Sequence, residues 1–164
     1  MPLSEDHLYQ AKRNIQFLEK INRLDGPDEH MDWQVTACFY VAVHLVNAHL
    51  AGYGMQYRKH VDVGYALNPY NKEDTALPFK EYTAYEKLQG LSRRSRYLVP
   101  ENAAGSLDAA ACYCVEGHLA KAFRYLNVLM VYFNQKNKFK LKPVKVKCAG
   151  ISRNELTHIN VQNE

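Results

Sequence analysis

Residues 32–51 read Asp32-Trp33-Gln34-Val35-Thr36-Ala37-Cys38-Phe39-Tyr40-Val41-Ala42-Val43-His44-Leu45-Val46-Asn47-Ala48-His49-Leu50-Ala51, and this stretch decides the fold. Read as a helix beginning between Glu29 and Asp32, it is apolar nearly all round. Such a helix must be covered on most of its sides, which puts it at the centre of a helical assembly. Gly52-Tyr53-Gly54 stops it.

The flanking sequence supplies the covering helices. Ser4 reads as an N-cap, with Glu5 and Asp6 in the first turn and Leu3 placed to staple onto Leu8. Leu8, Ala11, Ile15, Leu18 and Ile21 then recur at three- and four-residue spacing until Asp25-Gly26-Pro27 ends the helix. After a long connection over residues 55–77, with a short helical piece between Val61 and Leu67, a third long helix opens at Pro78. It runs through Phe79, Tyr82, Tyr85, Leu88 and Leu91 to about Tyr97. A fourth starts near Ser106 or Asp108 and carries Leu107, Ala111, Val115, Leu119, Ala122, Leu126, Leu129 and Phe133, with Ala109-Ala110-Ala111 suited to close helix approach. The expected fold is all-α: an antiparallel bundle of four long helices over residues 1–135, followed by a basic tail over 136–164.

Composition agrees with that reading. A chain of 164 residues can bury roughly 70% of its unfolded surface without metal or disulfide. Cys38, Cys112, Cys114 and Cys148 follow no paired spacing, which points to a reducing compartment. Met1-Pro2-Leu3-Ser4-Glu5-Asp6 is acidic and resembles no secretory leader, and no uninterrupted run reaches the roughly 18 apolar residues of a membrane span. The expectation is a cytoplasmic protein with no membrane partner. The net charge of +4 is unevenly placed: residues 1–135 hold 14 Lys and Arg against 15 Asp and Glu, whereas Lys136, Lys138, Lys140, Lys142, Lys145 and Lys147 follow one another without an acid.

In that tract Lys138-Phe139-Lys140-Leu141-Lys142 and Val144-Lys145-Val146-Lys147 alternate charge with apolar groups at period two, around Pro143. Three uses fit the pattern. The lysines protect an edge strand from aggregation, form an arm that neutralises phosphates, or let the segment add a strand to a partner's sheet, read out by Phe139, Leu141, Val144 and Val146.

The stretch from Asp32 to His44, then His49, Tyr85-Glu86-Lys87-Leu88 and Leu91-Ser92-Arg93-Arg94-Ser95-Arg96-Tyr97, resembles small prokaryotic HEPN-type helical proteins over roughly residues 31–97. That resemblance implies a helical domain that acts as a homodimer or within a larger complex, in defence or stress response. Many such domains are metal-independent endoribonucleases with an Arg and a His separated by four to six residues and often Asn directly after the Arg; others serve as RNA-binding or protein-docking modules. Two stretches match the spacing. Arg23 to His30 straddles the Gly26-Pro27 break, while Arg153-Asn154-Glu155-Leu156-Thr157-His158 has the favoured Asn. Ser152 and Glu155 form a capping box that would start a helix at Arg153. At such a helix start, amide groups and the Arg153 guanidinium would hold phosphate, and His158 would move the proton of a ribose 2′-hydroxyl. Arg153, Asn154 and His158 are the catalytic candidates, with no metal and no cofactor expected.

Other groups carry weaker signals. Arg93, Arg94 and Arg96 beside Tyr97 are placed to bind an anion or stack on a base, although cations at a helix C-terminus also simply favour its dipole. Arg58 and His60 open the long connection and join the nucleic-acid candidates, as do Lys138, Lys140, Lys142, Lys145 and Lys147. His44 and His118 read as core histidines or as a facing pair, and His44, His49 and His118 together as a metal trio without a carboxylate. The functional expectation is an RNA- or polyanion-binding protein with catalysis left open; the alternative is a non-catalytic interaction subunit of a larger complex.

Overall fold

A computed structural model describes residues 2–99 and 109–163. Helix α1 spans Ser4–Asp25, α2 Met31–Gly52, α3 His60–Leu67, α4 Phe79–Tyr97 and α5 Glu116–Lys136, followed by two short strands, β1 Val144–Val146 and β2 Ile159–Val161. The molecule is predominantly helical. α2 packs against α1, α4 and α5, and α4 also packs against α5. Val35, Cys38, Phe39, Val41, Ala42, Leu45, Val46 and Leu50 of α2 are all fully buried. By length and mean hydropathy α2 would serve to cross a bilayer, but 67% of its most apolar window is covered by the protein itself.

The helix ends differ from the expected ones in instructive ways. Leu3, not Ser4, caps α1: the Asp6 carboxylate reaches back to accept the Leu3 N–H at 2.7 Å, and Leu3 stays exposed. Pro78 caps α4 from just outside it. The fourth long helix starts later than its periodicity suggests. Ser106, Leu107 and Asp108 lie outside the described residues, Ala109–Cys112 forms a single 3₁₀ turn, and α5 begins only at Glu116. There the ring of His118 accepts the Val115 N–H at 3.1 Å, giving the helix start a side-chain partner that alanine-rich sequence could not. Ala109-Ala110-Ala111 therefore lies outside the long helix.

The segment after α5 folds back onto the helices. Lys138 and Lys140 adopt left-handed backbone (φ +57° and +53°), so the strand-like alternation over Lys138–Lys142 yields no strand. It still turns Phe139 and Leu141 inward, Phe139 stacking on Phe133 with ring centroids 5.9 Å apart. β1 and β2 pair in parallel, Val144 opposite Ile159 and Val146 opposite Val161, and these four side chains join the core cluster with at most 2% exposure. Burial of side chains this large contributes about 1.5–3 kcal/mol each, enough reason for the segment to close on its own core.

Side-chain amides hold its backbone. Asn22 of α1 donates to the Lys147 carbonyl (3.0 Å) and accepts from the Lys147 N–H (2.7 Å), and Glu19 accepts the Lys145 N–H at 2.8 Å. Asn134 of α5 grips both backbone groups of Leu141, and Asn163 grips both of Cys148. Asn22 also donates to Gln34 Oε1 (2.9 Å), while Gln34 Nε2 reaches the Gly26, Pro27 and Glu29 carbonyls of the α1–α2 connection. Both amides are essentially inaccessible to water. Replacing Asn22 with alanine removes one buried and two part-buried hydrogen bonds, so Asn22→Ala is expected to lower the unfolding free energy by about 1–3 kcal/mol. Lys145→Ala, which keeps its backbone bond, should change it by less than about 0.5 kcal/mol; urea denaturation measures both.

Candidate nucleic-acid interface

Helix α4 buries Ala84, Tyr85, Leu88 and Leu91. The residues left over at helical spacing, Tyr82, Glu86, Gln89, Arg93 and Arg96, line a groove of about 620 Å³ against His60 and Tyr65 of α3. Groups from two separate stretches of sequence thus converge there, His60 from one and Arg93, Arg96 and Tyr97 from the other. Tyr65 and Tyr97 are each 63% exposed, although Arg96 lies over one face of the Tyr97 ring.

The three arginines at the end of α4 divide into different roles. Arg96 is fixed: its Nε donates to the carbonyl and hydroxyl of Ser92 (3.2 and 3.1 Å), and its guanidinium lies 4.9 Å from the Tyr97 ring centre and 5.9 Å from those of Phe39 and Tyr40. Arg93 is exposed and has no hydrogen-bonding or ionic partner among the described residues. Arg94 does not belong with them, contrary to expectation. It is buried and donates to the Ala111 carbonyl at 2.9 Å, tying α4 to the turn before α5. Burial, with the Arg96 charge nearby, holds the His60 imidazole below its ordinary pKa, so His60 offers the groove a neutral donor or acceptor. Burial and the nearby Glu86 carboxylate raise the pKa of the Tyr82 hydroxyl. Arg58 is exposed before α3 and does not line the groove.

The lysine tract contributes a second basic surface. Lys145 and Lys147 line a groove of about 520 Å³ between α1 and β1, with Lys20 and Arg23 of α1 opposite. Glu19 also borders it, but its carboxylate is engaged by the Lys145 N–H. Lys138, Lys140 and Lys142 are exposed and lie outside this groove. Lys20 and Arg23 were missed at the level of sequence. Their one signal is the polar face they share with Gln16 and Glu19, which nothing local connects to a strand more than a hundred residues away.

The Arg153–His158 stretch forms no helix. Asn154 has φ +66°, so the chain turns, and the capping-box bond from the Ser152 N–H to the Glu155 carboxylate (2.9 Å) closes that turn instead. Glu155 also pairs with Arg124 of α5 at 2.7 Å. Arg153 is exposed. His158 faces α5, where its backbone N–H donates to Asn127 Oδ1 (2.7 Å) and its ring Nε2 accepts from Asn134 (3.1 Å), because the Asn134 oxygen is committed to Leu141. The nitrogen that a general base would use is thereby occupied.

The remaining histidines separate. His44 meets His7 across α1 and α2 (Nδ1 to Nδ1, 3.2 Å), not His118. His49 donates to the Thr75 carbonyl and accepts from Asn137, both at 3.1 Å. Among the described residues no three His, Cys, Asp or Glu side chains are placed to share a metal ion. Comparison of the chain with protein-family models, with curated proteins and with solved structures finds no match.

Burial lowers the pKa of His49 and His158, the former against opposing hydrogen bonds from Thr75 and Asn137. Above the ordinary histidine value of about 6.5 both rings are neutral in the folded and unfolded chain. As pH falls below it the unfolded chain takes up protons first, so stability is lost. Unfolding free energy is expected to be level from pH 8 to about 7 and to decline from about 6.5 downward, with His158→Gln reducing the slope; thermal or urea melts across that range measure it.

Proposed function

We propose that this chain is a HEPN-like cytoplasmic protein, its four long helices forming an antiparallel bundle, that binds single-stranded RNA or a similar polyanion. In this reading it works as a homodimer or with a larger partner in a defence or stress-response setting. The supporting observation is the α3–α4 groove, where an uncommitted Arg93, an Arg96 fixed over one face of Tyr97 and the largely exposed Tyr65 and Tyr97 rings stand around one cavity. A guanidinium free to meet phosphate beside flat stacking surfaces is the combination that single-stranded nucleic acid uses. Binding is the core of the proposal. Metal-independent cleavage by Arg153, Asn154 and His158 receives less support, because Asn134 holds the ring nitrogen of His158.

The second reading, a non-catalytic interaction subunit, draws on the exposed Phe17, Trp33 and Tyr40 of α1 and α2, a surface that a protein partner would cover. Titration of labelled single-stranded RNA by fluorescence anisotropy tests the first reading. Arg93→Ala is expected to weaken binding roughly tenfold or more and to reduce the slope of log K against log salt by about 0.7. No binding by the wild type even at low salt would leave the interaction-subunit reading. The same RNA incubated with EDTA present tests cleavage: a cut product that disappears in both Arg153→Ala and His158→Ala assigns catalysis to the turn.

A further inference from the structure

Two basic grooves lie on this molecule, and the surface between them is aromatic. Arg96 lines the α3–α4 groove and stacks on Tyr40. Tyr40 in turn lines a cavity of about 210 Å³ between α1 and α2 together with Trp33 and Phe17. Trp33 and Phe17 also border a neighbouring hollow of about 300 Å³ with Ile21. Ile21 sits on α1 between Lys20 and Arg23, which line the second basic groove with Lys145 and Lys147. Each step shares a residue, a ring contact or a helix turn with the next.

The side chains along this path are unusually open for their size. Trp33 is 62% exposed, Phe17 48% and Tyr40 40%. Two carboxylates nearby are engaged elsewhere: Glu19 accepts the Lys145 N–H, and Asp32 accepts the Cys114 N–H at 3.3 Å. Positive charge at both ends and flat rings between them match a polymer with alternating phosphates and bases. A protein partner would be expected to ask instead for an apolar patch rimmed by polar groups of both signs.

The geometry points to a single continuous track for single-stranded nucleic acid, running from the α3–α4 groove over Tyr40, Trp33 and Phe17 to the α1–β1 groove. This rests on the RNA-binding reading above and extends it from one groove to the whole strand. Arg93 holds the backbone at one end, Lys20, Arg23 and Lys145 hold it at the other, and bases stack on the rings between. Sequence preference is then weak, since every base has a face to stack.

Trp33 is the chain's single tryptophan and stands mid-track, so its own emission reports occupancy. Oligo(U) of about 4 and about 16 nucleotides, spanning the range of single-strand site sizes, is titrated against the wild type, Trp33→Ala, Trp33→Phe, the double variant Lys20→Glu with Arg23→Glu, and Arg93→Ala. The longer oligomer is expected to quench Trp33. Trp33→Ala should weaken it by roughly 5- to 100-fold, the range for one lost base stack, and Trp33→Phe should restore most of that loss. The α1 double variant should weaken the longer oligomer and flatten its salt slope by about 1.4, two phosphate contacts, while leaving the shorter one bound through Arg93. If Arg93→Ala weakens binding but Trp33 is not quenched and neither Trp33→Ala nor the double variant changes the longer oligomer's affinity, the track is wrong and the groove alone remains. If Trp33→Ala instead turns a dimer into a monomer with RNA affinity unchanged, the aromatic face belongs to a second copy and the track is again overturned. Failure of every oligomer to bind at low salt removes both the track and the reading it rests on.

Discussion

The buried amide pair Asn22–Gln34 is the constraint on which the rest of the structure depends. Gln34 opens the central helix and satisfies the carbonyls of the connection that precedes it, while Asn22 passes the same network on to the backbone of the returning segment. In water these hydrogen bonds would be nearly neutral exchanges. In a site with no water, each unmade one leaves a stranded polar group, so the network enforces one arrangement of α1, α2 and β1. Asn134 and Asn163 repeat the device, supplying the donor and acceptor that a neighbouring strand would otherwise supply.

That arrangement is also what sorts the charge. Because the returning segment alternates, docking its apolar residues necessarily sends its lysines outward, and docking it against α1 sets Lys145 and Lys147 opposite Lys20 and Arg23. At the end of α4 the sorting follows the helical turn. Arg94 points inward to a carbonyl, Arg96 lies on a bed of rings, and Arg93 alone faces solvent uncommitted. Three arginines that look alike in sequence are thus a buried tie, a guanidinium held on rings and an open surface cation.

Much of the helical framework was legible because periodicity is local. The all-round apolar character of residues 32–51 identifies the centre of the fold, and the spacing of Leu119, Ala122, Leu126, Leu129 and Phe133 identifies α5 from its own sequence. The late start of that helix was not legible, since alanines keep a helical pattern whether or not the chain is helical there. The capping box at Ser152 misled for a related reason: the same side-chain bond closes a turn when Asn154 takes a left-handed backbone. Arg93, Arg96, Tyr97 and His60 could be nominated singly. Their meeting in one groove depends on the path of a long connection, and the partnership of Asn134 with His158 on tertiary contact, neither of which any local rule encodes.

The clamp between Asn22 and Lys147 joins residues 125 positions apart. On a ribosome adding about 5–20 residues per second, the amide of Asn22 waits roughly 6–25 s for its second partner to be made. Until then the α1–α2 pair lacks the backbone partner that Lys147 supplies. The segment at β1 is therefore the latch, and the place where the basic groove forms cannot close until translation has passed β1.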